Sequence, residues 1–454
     1  MPATGANPDA RQAALEVVRA LQAAGHCAYW VGGCVRDMLL GRPPVDYDVA
    51  TSARPEQVEA CFRRTIPVGR QFGVVLVRLG GQETQVATFR AEADYADGRH
   101  PAQVRFADAR ADAVRRDFTI NGLFFDPVTE ACHDWVGGRP DIAARRIRTI
   151  GNPVDRFEED HLRLLRGVRF AAELDFALEP GTMTAIQRLA PSIRRISAER
   201  IRDELLKLLR PPHAQRGLIL LRDSGLLSHV MPEVAAFSGC EQSPDFHPEG
   251  DVFEHVSGML GRLENGAPPL LAWAVLLHDV AKPVTASRDL ETGRIRFFGH
   301  ERIGAEMAET LLRRLRFPNR AIEQIVTAVR YHMQFKDAPH MRRATLSRML
   351  LRPTFALELE LHRLDCLGSH GRLDVHEFLE GEHARLGQRP ASRPPLLRGR
   401  DLLAMGLKPG PELGRLLAEV RDLQLGDELE TRDQALEWVK RRRKEGRPPP
   451  SASA

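Results

Sequence analysis

The segment VGGCVRDMLLGRPPVDYDVAT constrains the fold more than any other stretch of this chain. Ala28 to Val31 reads as a short apolar strand, and Gly32 and Gly33 as a turn whose backbone amides can approach an anion closely. Val35 to Leu40 reads as helical, and a following strand carries Asp46 and Asp48. Side chains alternate along a strand, so both carboxylates point to one face and can meet one magnesium site. Two ions held there would suit activation of an attacking hydroxyl and neutralisation of a leaving pyrophosphate.

The 454 residues are 43% hydrophobic, enough for a sizeable core and for several domains. Cys27, Cys34, Cys61, Cys132, Cys240 and Cys366 are scattered without a C-x-x-C pair. That argues against a zinc ribbon or a disulfide framework and fits a reducing cytoplasm. The N-terminal stretch lacks a long apolar run, and no later one reaches the ~18 apolar residues of a membrane span, so neither secretion nor membrane insertion is indicated. A net charge of +4 says little, but basic residues crowd at Arg194 and Arg195, at Arg342 and Arg343, and from Lys440 to Lys444. Their recurrence favours an RNA track.

An amphipathic helix is expected around Pro8 to Ala24. Residues 28 to 150 then alternate strand-like runs such as VVLVRL and TQVATFR with turn signals. From Glu158 the period changes: Leu162, Leu165, Val168, Leu205, Leu208 and Leu209 recur at helical spacing, so the remainder should be mostly α. QRPASRPPLLRGRD reads as a linker and GRPPPSASA as a disordered tail. Thr431 and Gln434 form a capping-box pattern for the last helix.

Two further motifs carry charge in fixed patterns. In AVRRDFTINGLFFDP, Arg115, Arg116 and Asp117 stand beside an apolar anchor of Phe118 and Ile120, and Arg116 could fork onto triphosphate oxygens. In EEDHLRLLRGVRF, Asp160 and Arg163 are three residues apart and expected side by side on a helix, with Arg166 and Arg169 continuing the stripe. With the paired glycines and aspartates, these motifs resemble the branch of the nucleotidyltransferase superfamily containing bacterial class II CCA tRNA nucleotidyltransferases and poly(A) polymerases. The resemblance implies that Asp46 and Asp48 are catalytic and hold Mg2+. It implies that Gly32, Gly33, Arg36, Arg116, Asp117 and Asn121 serve nucleotide binding, and that Asp160 and Arg163 template the base edges of CTP and ATP. Arg166 and Arg169 would help hold the nucleotide. ISAERIRDELLKLL is similar to the helical neck motif of these enzymes, where Glu199 and Arg200 would brace the templating helix. TFRAEADYADGRHPAQVRF resembles the flexible loop of enzymes that can switch to adding A, while VGRQFGVVLV does not separate them from poly(A) polymerases. Where many relatives carry Glu, QVATFR has Gln85, which leaves a third carboxylate as general base without its usual residue, although Glu83 lies on the same strand face.

His255, the pair His278-Asp279 and Asp365 stand in the order of the HD phosphohydrolase pattern, and LLAWAVLLHDVAKP resembles that family's central helix and turn. A histidine and an aspartate leaving an apolar helix together can share one divalent ion, which His255 and Asp365 would close in. His300 and His332 fall where some two-metal members have ligands.

The resemblance implies an α+β chain: a polymerase β-like α/β head followed by all-α neck, HD and C-terminal regions. The expected segments are an N-terminal helix (1–27), head (28–150), neck with the base-templating motif (151–240), HD domain (241–380), C-terminal tRNA-binding helices (381–440) and tail (441–454). It implies addition of CCA to tRNA from CTP and ATP with Mg2+ and no nucleic-acid template, and a second activity at an HD site holding a divalent metal. A poly(A) polymerase or A-adding enzyme is the alternative within the family. An RNA-binding or nucleotide-sensing protein with an inert head is the alternative outside it.

Overall fold

The computed structural model describes residues 8–69, 73–91, 105–243, 250–387 and 394–444. Most of the expected A-switching loop, the start of the proline-rich linker, residues 445–454 and the middle of VGRQFGVVLV lie outside the described residues, and residues 441–444, expected in the tail, instead complete the last helix. The chain divides into two compact units, Met1–Ala235 with Leu263–Asn265 and Arg314–Phe317, and Ala236–Arg262 with Gly266–Arg313 and Pro318–Ala454.

In the first unit, seven strands form one sheet. They are β1 (Ala28–Val31), β2 (Asp48–Thr51), β3 (Thr65–Gly69), β4 (Val74–Leu79), β5 (Gln82–Thr88), β6 (Leu123–Asp126) and β7 (Ala131–Asp134), in spatial order β3-β4-β5-β2-β1-β6-β7. β2 pairs parallel with β5, and the other five pairings are antiparallel. Helix α1 (Pro8–Ala23) covers one face because Ala14, Val17, Val18 and Leu21 recur at helical spacing and are fully buried. Trp30 of β1 points to that side, 4.7 Å from the Tyr47 ring. Gly32 has φ 72°, a left-handed value that glycine takes without strain, and its turn launches α2 (Gly33–Leu39).

Beyond the sheet the unit is mostly helical, as the change of period at Glu158 predicts, with Ala177–Leu178 as a short strand paired parallel to Arg146–Ile147. Helix α3 (Leu162–Leu174) buries Leu162, Leu165 and Val168 and packs on α4 (Ala198–Leu208). A Cβ on Gly167 of α3 would sit 3.1 Å from the Phe118 ring, so this glycine lets the second motif's apolar anchor lie against the helix.

The second unit is a helical assembly containing one short hairpin, Ala286–Arg288 with Ile295–Phe297, that helical periodicity does not announce. Its central helix α5 (Pro269–Leu277) is apolar all round and buried from Leu271 to Leu277, and His278 follows at its C-terminal cap. A separate cluster of Leu402, Leu416, Val420, Ala435 and Val439 holds the C-terminal helices together. The capping box forms as expected, with the Gln434 amide donating to the Thr431 hydroxyl at 3.3 Å and the Thr431 amide to Gln434 Oε1 at 3.1 Å. No described helix is long and apolar enough to cross a membrane.

Candidate active sites

The aspartate pair straddles the start of β2. Asp48 opens the strand, but Asp46 precedes it, whereas the sequence reading put both on the strand. The face relation survives because Tyr47 between them turns inward onto Trp30. Asp46 is exposed and Asp48 half-buried. Burial, then the charge of Asp46, push the Asp48 carboxyl up to about 6, against the opposing pull of Arg116. Two carboxylates that disfavour each other's charge form a site that a cation would relieve.

The arginines around the glycine turn are already engaged. Arg36 is buried and donates to Asp37 Oδ1 at 2.9 Å and to Asn121 Oδ1 at 3.0 Å, with its guanidinium 5.5 Å from the Phe170 ring. Arg116 donates to Asp112 Oδ2 at 3.0 Å and stands over Phe124. A Cβ on Gly32 would meet Arg116 Nη1 at 3.3 Å. Burial alone would raise both Asp112 and Asp117. Arg116 and Arg115 beside the first, and Arg166 beside the second, more than offset it and hold both carboxyls below the usual range. Asp117 takes the Arg166 fork at 2.8 and 2.6 Å.

Asp160 does not share a helix with Arg163. A helix ends at Glu159, Asp160 is extended, and α3 starts at Leu162. The carboxylate accepts the Leu162 amide at 3.0 Å and the Arg200 guanidinium at 2.7 Å. Arg163 instead bonds Glu159 and, at 3.0 Å, the Arg156 carbonyl. Arg169 donates to Glu204 at 2.6 Å and to Glu173 at 2.7 Å, and its guanidinium lies 4.0 Å from the Phe170 ring. Glu199 is exposed, so within that neck motif it is Arg200 that bonds Asp160 and the buried Glu204 that bonds Arg169. Gln85 adjoins Asp48 across the β2–β5 pairing, where Val49 meets Val86, whereas Glu83 is tied to Arg78 on β4.

In the second unit all six predicted residues converge. Asp279 is central: its oxygens lie 3.0 Å from His278 Nε2, 3.4 Å from His300 Nε2, 3.9 Å from His332 Nε2 and 4.0 Å from His255 Nε2. Asp365 reaches His255 at 3.3 Å. Two ligand groups, His255–His278–Asp279 and Asp279–His300–His332, could each hold an ion. The Nδ1 atoms of His278, His300 and His332 lie 2.8, 2.8 and 2.7 Å from the carbonyls of Val275, Phe297 and Val329. An Nδ1 proton donated to each carbonyl would leave each Nε2 facing inward as a ligand, as metal ligation requires. Burial, helped by His278, drives His332 down to about 3, so its ring stays neutral. Burial would raise Asp279, but His278 and Lys282 hold it well below the usual carboxylate range. Lys282 Nζ lies 2.7 Å from Asp279 and 2.6 Å from Gln242 Oε1. A cavity of about 480 Å³ opens over this centre, lined among others by Arg296, Phe297, Phe298, Lys336 and Asp365.

Family models match in the same order: a poly A polymerase head domain over residues 28–148, a probable RNA and SrmB-binding site of polymerase A over 175–238, and an HD domain over 252–367. A CCA-adding enzyme of Levilactobacillus brevis is 32% identical over 414 residues, covering 91% of this chain and 93% of that one. The chain belongs to the family of CCA-adding tRNA nucleotidyltransferases and poly(A) polymerases. An A-adding tRNA nucleotidyltransferase of Deinococcus radiodurans is 34% identical over 432 residues, covering 90% and 94% of the two chains. Similarity to the CCA-adding enzyme of Geobacillus stearothermophilus rises to 46% over 220 residues, and this stretch spans about half of that relative. Among solved structures, the CTP complex of the Bacillus stearothermophilus CCA-adding enzyme superposes with a TM-score of 0.72 at 28% identity over 96% of this chain and 98% of that one.

Motif reading of this nucleotidyltransferase missed the acids that hold its basic groups: Asp112, Glu159 and Glu204. Asp112 and Glu159 were legible in principle, since each stands three or four residues from the arginines it binds along one helix or its end. Lys282, three residues after Asp279, carried the same spacing. Glu204 meets Arg169 from another helix, and no local spacing reveals that pair.

Proposed function

We propose that this nucleotidyltransferase adds the 3′-terminal CCA to tRNA from CTP and ATP, with Mg2+ and without a nucleic-acid template. The observation that carries the reading is the aspartate pair beside the Gly32–Gly33 turn and Arg116, in a chain aligned nearly end to end with CCA-adding enzymes. Asp46 and Asp48 would hold the metal, which lowers the pKa of the attacking hydroxyl and stabilises charge on the leaving group. The tRNA 3′-hydroxyl attacks the α-phosphate, a new O–P bond forms, the α–β anhydride bond breaks, and pyrophosphate leaves with the hydroxyl proton passing to solvent. Gly32 and Gly33 admit the triphosphate, and Arg36, Arg116, Asp117 and Asn121 form its polar wall. Asp160 and Arg163 read the base edge, held by Arg200 and Glu159, while Arg166 and Arg169 support them from Asp117 and Glu204. The neck and C-terminal helices would hold the tRNA. Six unpaired cysteines support a cytoplasmic setting.

The test is incorporation of labelled CTP and ATP into tRNAs ending before CCA, after C and after CC, with an unrelated RNA as control. Addition of CCA followed by arrest is expected. A single A added only to the tRNA ending in CC would make this an A-adding enzyme, a reading the 34% identical Deinococcus relative keeps in view. Long A tails on every RNA would make it a poly(A) polymerase, and no incorporation would leave an RNA-binding protein with an inert head.

The HD centre is proposed as a metal-dependent phosphohydrolase acting on nucleotides or RNA ends. His255, His278, Asp279, His300, His332 and Asp365 would hold a divalent metal that supplies a bound hydroxide. Arg296 and Lys336 at the cavity wall suit a phosphate.

A further inference from the structure

The sheet face that carries Asp48 also carries an aromatic group outside the chemistry proposed above. Asp48 pairs with Val31, Val31 with Phe124, and Phe124 with His133, so one row of residues crosses four neighbouring strands. At about 4.8 Å per strand, His133 stands about 14 Å from Asp48 along that row. The His133 and Trp135 rings are parallel to within 5° with centroids 5.2 Å apart. Tyr29 meets His133 edge-on at 5.3 Å, and Trp135 packs on Phe124 at 5.5 Å. Arg116 stands 5.0 Å over that same Phe124 ring, and its charge acts on Asp48. The row from the carboxylates to the ring pair therefore passes beneath Arg116 on one face.

The pair is rigid and partly open. Trp135 packs against the cluster of Val31, Phe89 and Phe124, yet Tyr29, His133 and Trp135 all keep exposed surface. Between the two rings, Asp134 turns its carboxylate onto four successive amides, Val136, Gly137, Gly138 and Arg139, at 3.2, 2.8, 2.9 and 2.9 Å. The turn after Trp135 is thus held before any ligand arrives. Parallel rings offer a π-face, and every nucleobase has one, so such a surface takes a base without reading its identity.

We propose that His133 and Trp135 form a stacking shelf for an unpaired base of the RNA strand whose 3′ end is extended at Asp48. The inference rests on the transferase reading. The incoming nucleotide has its own base reader in Asp160 and Arg163, whereas the primer strand needs a support that tolerates a different base after each addition. A span of about 14 Å corresponds to roughly four stacked bases at 3.4 Å each, which puts the shelf's base a few nucleotides upstream of the reacting end.

The test is binding of a fluorescent tRNA with a single-stranded 3′ end and of the same RNA trimmed to a blunt acceptor end, by the full chain and by W135A, H133A and W135F. For the overhanging RNA, W135A should weaken binding roughly tenfold and H133A several-fold, with W135F close to the parent. Blunt RNA should bind all four alike, and the KM for CTP and ATP should not move. Wild-type affinity of both alanine variants for the overhang would overturn the shelf. So would an equal loss on blunt RNA, or a rise in nucleotide KM in place of the RNA effect. H133A decides the matter if W135A fails to fold. Absence of nucleotide incorporation by the parent would instead strike the transferase reading, since this assay needs no chemistry.

Discussion

The two candidate centres solve opposite problems. At the aspartate pair the carboxylates are partly exposed and repel each other, while the arginines around them are held by Asp112, Asp117 and Glu204. At the HD centre the four histidines and Asp279 are buried, backbone carbonyls hold Nδ1 of His278, His300 and His332, and a lysine neutralises the shared aspartate. The first arrangement leaves its carboxylates partly open to a substrate. The second encloses the ligands that would hold one or two ions. The difference teaches that reach over a substrate and grip on a metal are bought with different kinds of burial.

The contrast can be broken at its strongest point by Asp46→Ala with Asp48→Ala. Nucleotide incorporation should fall by about 10³-fold or more, because metal stabilisation of transition-state charge is worth several kcal/mol, while hydrolysis by the HD centre stays unchanged. Equal incorporation by mutant and parent would remove the aspartates from the chemistry.

The reciprocal variant, His278→Ala with Asp279→Ala, should abolish hydrolysis and bound divalent metal, measured by elemental analysis, while sparing incorporation. Metal added at a hundred times its Kd should stabilise the parent by about 2.7 kcal/mol and leave this variant unmoved at the HD centre. Hydrolysis that persists would end the assignment.

A smaller effect is expected from Asp112→Asn, which loosens Arg115 and Arg116 without touching the metal carboxylates. The KM for both nucleotides should rise about tenfold, and stability should fall on the order of 2–3 kcal/mol as a buried charge pair is broken. The same variant sharpens a pH argument. Asp112 and Asp117 titrate below their unfolded value near 4, so the stability they contribute is present above that pH and is lost as pH falls through their folded values. Between pH 5 and pH 3 the parent should therefore lose more stability by thermal melting than the Asn variant does. Equal losses would mean that Asp112 carries no depressed titration.

The least change is expected from Arg200→Lys, which keeps a charge near Asp160 but shortens the donor fork. A several-fold loss of discrimination between CTP and ATP, with overall rate nearly kept, would mark Asp160 as positioned by Arg200. Unchanged discrimination would leave that ion pair a structural brace.

Much of both centres was legible because the informative patterns are local or ordered. The D-x-D pair, the glycine turn and the histidine-aspartate step each gather their chemistry within a few consecutive residues. The reading failed where one residue interrupts a period. Asp160 breaks from the helix to accept the Leu162 amide, so its spacing to Arg163 no longer means adjacency. Charge partners drawn from another helix, such as Glu204 for Arg169, were also out of reach.

The sequence by itself determined that Asp46 and Asp48 stand one residue apart beside a strand, that the chain turns at Gly32, and that strands yield to helices near residue 158. These are consequences of backbone period and of glycine's freedom at positive φ, which neighbours in the chain dictate. Only the tertiary structure decided that ligands from His255 to Asp365 meet around one carboxylate, that Phe118 seats on Gly167, and that His133 shares a row with Asp48 while stacking on Trp135. Those relations depend on which faces pack together and in what strand order, and a one-dimensional period carries neither.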